Sequence, residues 1–186
     1  MGGSETKRRS NILFHGINSI RFYKTKDMEN NIVDILLVED NPSEAKLTIM
    51  SLQEHSLEKK LVHVEDGAEA LDFLFARGQF SDRLHKPNPR VVLLDLNMPK
   101  IGGLEVLRQM KANERTKSIP VVILSSSNQD KDVIEGYSLG ANSYVVKPME
   151  FEAFTKAIGD LGCYWMLLNE ASVLLMMAKE RLVNPD

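Results

Sequence analysis

A chain of 186 residues and 21.0 kDa has room for one full-sized domain and a short appendage, and little room for a separate effector domain. With 43% hydrophobic and 26% charged residues it can bury a genuine core, which excludes disorder as a global state. A formal charge of −3 and a pI near 5.9 supply no positive field for non-specific attraction, so neither nucleic acid nor an anionic membrane is an expected partner.

Along the chain, residues 1–31 differ from the rest, carrying +3 against −6 for residues 32–186. Their apolar residues follow no long period, and Gly2, Gly3 and Gly16 interrupt them, which predicts a weakly ordered N-terminal extension. Met28 stands directly ahead of the first clear strand, where an ordinary start would, so residues 1–27 read either as an addition to the native chain or as a targeting arm. Ile32–Val38 is a nearly continuous apolar run, the mark of a strand buried on both faces. Pro42 opens a helix with Ala45, Leu47, Ile49, Met50 and Leu52 as its apolar positions. Leu61–Val64 is a second strand and Ala68–Arg77 a second helix. Gly78, Pro87 and Pro89 mark residues 78–90 as a long loop. Arg90–Leu94 is a third strand, followed by a turn at Asn97-Met98-Pro99 and a helix built on Leu104, Leu107 and Met110. A fourth strand at Pro120–Leu124, a helix at Asp130–Leu139, a fifth strand at Ser143–Val146 and a helix from Met149 complete the series.

Five strands alternating with helices make a doubly wound α/β fold, because successive parallel strands need crossover helices, and right-handed crossovers cover both faces of the sheet. A domain of this size suits the flavodoxin-like five-stranded parallel order 2-1-3-4-5. The one cysteine, Cys163, cannot close an internal disulfide, which fits a reducing cytoplasm. No apolar run approaches the ~20 residues that span a bilayer, and no secretory signal pattern is seen.

Ligands of such sheets bind beyond the carboxyl ends of the strands. Those ends carry Glu39-Asp40, Asp95, Ser125 and Lys147-Pro148, which brings three carboxylates, a hydroxyl and an ammonium to one crevice. Three crowded carboxylates call for a proton or a cation. All-oxygen ligands select a hard ion, and a small site suits Mg²⁺. Asp95 can then act as a nucleophile toward a phosphoryl group, with Mg²⁺ and Lys147 neutralising its oxygens and Ser125 donating a hydrogen bond.

The segments ILLVEDNPSEAKL, VVLLDLNMPKIGGLEVL, IPVVILSSS and SYVVKP resemble the receiver domain of two-component response regulators, over about residues 32–168. The acidic pair, the Asp, the hydroxyl and the Lys-Pro occur in order, with Ser125 and Lys147 standing 30 and 52 residues after Asp95. The resemblance implies the CheY-like version of the fold, Asp95 as phosphoacceptor, and Glu39, Asp40, Asp95 and the Asn97 backbone carbonyl around Mg²⁺. It also implies Lys147 as the phosphoryl-binding lysine, and Ser125 and Tyr144 as the switch hydroxyl and aromatic. Gly102, where an Asp or Asn is more usual, and serine in place of threonine at 125 depart from the common pattern without removing a ligand. The long 78–90 loop and the ending GDLGCYWMLLNE are most like the stand-alone regulators of cyanobacterial phytochromes.

The expected function is that of a stand-alone regulator phosphorylated by a sensor histidine kinase, of the phytochrome-like kind where the narrower resemblance holds, with self-catalysed transfer and dephosphorylation rather than enzymatic turnover. Signalling would run through altered contacts: Ser125 turning to the phosphoryl group vacates space for the Tyr144 ring. The alternative is an interaction module whose acidic pocket binds metal without phosphorylation. A cis Lys147–Pro148 bond would help aim the lysine. His15, His55, His63 and His85 lack ligand spacing, and the Ser125-Ser126-Ser127 run lacks a partner base. Residues 169–186 form a C-terminal helical tail. No proline interrupts Glu150–Leu182, so one helix of ~50 Å could run there, leaving Tyr164, Trp165, Leu167, Leu168, Leu174, Leu175, Met176 and Met177 in need of a partner. A homodimer through the face of fourth helix, fifth strand and fifth helix would cover them. The competing reading is a second short helix folded back, with Gly159 and Gly162 as weak points.

Overall fold

The computed structural model describes residues 33–169. The extension at 1–31 and the tail beyond residue 169 lie outside the described residues. Five parallel strands, β1 (Ile35–Val38), β2 (Leu61–Val64), β3 (Val91–Asp95), β4 (Val121–Ser125) and β5 (Ser143–Val146), form one sheet in the order β2-β1-β3-β4-β5, as expected. Register carries the site: Val38 pairs with Leu94, Asp95 with Leu124 and Ser125 with Val146, so the strands end nearly level.

The three inner strands are buried at every residue, which requires cover on both faces and explains their unbroken apolar runs. Side chains alternate between two cores. One holds Leu36, Val38, Val92, Leu94, Val121 and Ile123 against α2 (Gly67–Leu74) and α3 (Gly103–Ala112), with Leu139 following α4 (Asp130–Ser138). The other holds Ile35, Leu37, Val91, Leu93, Val122 and Leu124 against α1 (Pro42–Gln53) and α5 (Phe151–Cys163). Each fully buried aliphatic side chain contributes about 1.5–3 kcal/mol. The edge strands differ. In β2 buried Val62 and Val64 alternate with half-buried Leu61 and His63, and no residue of β5 is fully buried.

Local chemistry starts the helices. The Asn41 side chain accepts from Ser43 N at 3.0 Å and Glu44 N at 3.4 Å, and Pro42 takes the first turn of α1. Asp66 caps α2, accepting from Glu69 N at 2.8 Å. Gly102 precedes α3 with no side-chain cap. At Gly103 a Cβ would stand 2.1 Å from the Asp95 carbonyl oxygen, so the β3–α3 loop folds over the strand end only with glycine there.

The structure differs from the expected elements at five places. α2 ends at Leu74 rather than Arg77, because Ala76 adopts φ +54. The 78–90 loop contains a 3₁₀ turn at Gly78–Arg83, with the Arg83 guanidinium 3.8 Å over the Phe73 ring and the Arg115 side chain donating to the carbonyls of Leu84 at 2.5 Å and Arg83 at 2.9 Å. The last helix does not run on unbroken: a π turn at Tyr164–Leu168 follows α5, and Asn169 is extended. The wider turn lets the neighbours Trp165 and Met166 both reach the core. Gly159 and Gly162 are not weak points but close contacts of α5, where a Cβ would meet His55 at 2.5 Å and Leu52 at 2.6 Å. No cis peptide bond occurs among the described residues, so the Lys147–Pro148 bond is trans. Instead, Lys147 N donates to the Ser125 carbonyl at 2.8 Å and continues the strand pairing as far as the lysine.

Candidate functional site

At the carboxyl edge of the sheet, carboxylate oxygens of Glu39, Asp40 and Asp95 lie within 4.8 Å of one another. Glu39 follows β1 and Asp95 ends β3, so the parallel register alone makes them neighbours. Lys147, following β5, reaches across β4 to the same point. Its Nζ lies 2.6 Å from Glu39 Oε2, 2.9 Å from Asp95 Oδ1 and 2.6 Å from Glu44 Oε2. Side-chain exposure is 3% for Glu39, 6% for Asp95 and 8% for Lys147, against 41% for Glu44. Asp40 is open to solvent.

The remaining hydrogen bonds hold the acids in place. Asn41 N donates to Glu39 Oε1 at 3.1 Å, and Asn97 N donates to Asp95 Oδ2 at 2.7 Å. Burial raises the Glu39 pKa above the ordinary glutamate value, and the Lys147 ammonium only partly offsets this. Burial alone would lower the Lys147 pKa, but hydrogen bonds to Glu39, Glu44 and Asp95 outweigh it and hold the ammonium above lysine's usual value. One ammonium meets three carboxylates, with Asp40 beside two of them, so the carboxylates outnumber the cation. The accessible donors are all oxygen, and the cluster can bind a divalent cation.

Ser125 ends β4 fully buried, its Oγ accepting from Ser127 N at 3.1 Å. Tyr144 in β5 is half-buried, and its hydroxyl donates to the Ser127 carbonyl at 3.0 Å. Ser127 Oγ donates to Asp132 Oδ2 of α4 at 2.5 Å and accepts from Gln129 N at 3.3 Å. Glu39, Asp40, Asp95, Ser125 and Lys147 therefore gather at the carboxyl end of the sheet. Two more belong with them. Glu44 was hidden because its contact spans 103 residues, although Asn41-x-x-Glu44 is a recognisable helix-start pattern. Ser127 lies within the serine run Ser125-Ser126-Ser127, where nothing in the sequence distinguishes it. The His63 Nε2 lies 2.8 Å from the Glu39 backbone oxygen.

Residues 35–159 match the response regulator receiver domain. The chain belongs to that family. Receivers of this family take up and release phosphoryl groups by self-catalysed chemistry rather than by multi-turnover catalysis, and the acidic cluster here sits at the expected acceptor position. The receiver is similar to the response regulator Rcp1 of Synechocystis, at 36% identity over 132 residues, 71% of this chain and 88% of that protein. The Mn²⁺-bound crystal structure of Rcp1 superposes with a TM-score of 0.69 at 34% identity, covering 75% of this chain and 98% of that one. The phosphorylated cyanobacterial phytochrome response regulator RcpA gives a TM-score of 0.70 at 31% identity, with coverage of 75% and 98%. The bacteriophytochrome response regulator AtBRR is 47% identical, with a TM-score of 0.59 and coverage of 75% and 99%. Among the described residues no helix is long and apolar enough to cross a membrane.

Proposed function

We propose that this receiver accepts a phosphoryl group on Asp95 from a sensor histidine kinase of the phytochrome type, in an Mg²⁺-dependent reaction in the cytoplasm, and signals through altered protein contacts. The observation that carries the reading is the position of Asp95, at the end of the central strand with Lys147 Nζ 2.9 Å from one carboxylate oxygen and two further acids within reach. A carboxylate oxygen of Asp95 attacks phosphorus in line, the P–O bond forms as the donor's P–N bond breaks, and the imidazole leaves with the electron pair. Glu39, Asp40, Asp95 and the Asn97 carbonyl would hold Mg²⁺, which neutralises charge on the transferring oxygens. Lys147 contributes a second positive charge, and Ser125 a hydrogen bond.

The phytochrome-type kinase is supported by the names of RcpA and AtBRR. Phosphorylation draws the Ser125 hydroxyl inward, and the Tyr144 ring follows. The outlet is the face of α4, β5 and α5, where Ile134, Tyr137, Val146, Met149 and Phe151 are exposed, and where a second copy docks, aided by residues 169–186. Three parts serve these roles: an appended segment 1–31, the receiver 32–168 and the tail 169–186.

Acetyl phosphate with Mg²⁺ tests the reading. A mobility shift on Phos-tag gels is expected for the wild type and absent from Asp95→Ala. An unshifted wild type, or a shift that survives Asp95→Ala, would instead favour a metal-binding interaction module.

A further inference from the structure

An ammonium has three N–H donors, and in Lys147 the three short contacts to Glu39, Asp95 and Glu44 occupy all of them. A lysine in that condition has no donor to offer an incoming phosphoryl oxygen until one contact is given up. The three acceptors are not equivalent. Glu39 and Asp95 are almost wholly buried, and either would be left poorly solvated if abandoned. The Glu44 side chain is 41% exposed, so water can replace the ammonium there. Glu44 is also held from the other side: its second oxygen accepts from Asn41 Nδ2 at 3.2 Å, so it keeps a partner when Lys147 leaves.

We propose that Glu44, on the first turn of α1, is a positioning residue that occupies one donor of Lys147 and competes with the phosphoryl group for it, setting how fast Asp95 is loaded and how long the acyl phosphate lasts. The inference rests on the phosphoacceptor reading of Asp95. Glu44 acts through Lys147. It is absent from the cluster of oxygens that can share a cation, and its contribution is to occupy one donor of the Lys147 ammonium. A contact to a partly exposed carboxylate is modest, so the expected effect is roughly two- to fivefold.

The test compares full-length wild type, Glu44→Gln and Glu44→Asp for phosphorylation by acetyl phosphate at saturating Mg²⁺, and for the half-life of the phosphorylated form after donor removal. Glutamine still accepts from Asn41 but attracts the ammonium weakly; aspartate keeps the charge but withdraws it by one methylene. Both variants are expected to load faster and to lose phosphoryl more slowly, by about two- to fivefold. Unchanged or slower loading in Glu44→Gln overturns the inference. So does acceleration of Glu44→Gln alone, which would reveal the field of a charge rather than a held donor. The ¹⁵N resonance of the Lys147 ammonium without donor is a separate readout. It should shift in both variants, and an unmoved resonance also overturns the contact. Failure of wild-type loading at Asp95, with the resonance shifting as expected, would remove the phosphoacceptor reading and with it the role of Glu44 in loading, while leaving the contact itself established.

Discussion

The Tyr144 hydroxyl donates to the backbone carbonyl of Ser127 at 3.0 Å, which ties the middle of β5 to the loop leaving β4. The same serine's N–H meets Ser125 Oγ and its hydroxyl meets Asp132. Strand end, aromatic ring and the start of α4 therefore share one residue. Tyr144→Phe is expected to cost about 1 kcal/mol and to raise amide exchange across residues 127–138 of the unmodified protein, with β2 unaffected. Equal exchange in wild type and variant would show that the hydroxyl does not restrain α4.

Glu39 offers a prediction with a definite sign. Its folded-state pKa lies above the ordinary value because burial penalises the charge, so its contribution to stability is full below the unfolded value of about 4.3 and is lost as pH rises through the folded value. Glu39→Gln, which mimics the protonated form, should raise the urea midpoint at pH 7 in metal-free buffer, with the gain disappearing below about pH 4. A midpoint lowered at pH 7 would mean that the Lys147 ion pair outweighs desolvation.

Asp66 behaves in the opposite sense. Burial pushes its pKa up, but hydrogen bonds from Lys100 and from the Glu69 N–H prevail and hold it below the usual aspartate range. Its contribution is therefore present above about pH 3.9 and lost as pH falls through the lower folded value. Asp66→Ala should cost about 1 kcal/mol at pH 7 as a lost helix cap, with the two proteins converging in urea titrations toward pH 2.

Asp40 separates metal binding from folding. It is exposed, and Asp40→Asn should leave the metal-free melting temperature within a degree or two of wild type. Mg²⁺ at a hundred times its Kd should stabilise the wild type by about 2.7 kcal/mol, and the same concentration should stabilise Asp40→Asn far less. Equal stabilisation by calorimetry would take Asp40 out of the ligand set.

Glu39, Asp95, Ser125 and Lys147 were legible as neighbours because each follows or ends an apolar run, and a parallel sheet turns that local rule into proximity. Leu61–Val64 and Ser143–Val146 have their expected bounds, whereas β1 begins at Ile35 rather than Ile32, and β3 and β4 each begin and end one residue later than expected, because nothing in apolar patterning separates a strand from its approach or marks a polar last residue. Periodicity carries no information about strand order; size and resemblance supplied it. What stayed hidden depended on backbone conformation or distant contact: the positive φ of Ala76, the π turn that seats Trp165 and Met166, and the reach of Lys147 to Glu44.

Trp165 is the chain's single tryptophan, and it lines a cavity with Ser118, Pro120, Asn142 and Ser143, at the strand ends opposite Asp95. Its fluorescence therefore comes from one known place, remote from bound phosphate or metal. A change in emission when a phosphodonor is added, at protein concentrations that keep the chain monomeric, reports a rearrangement carried across the sheet, which equips the unlabelled protein with its own optical gauge of long-range communication.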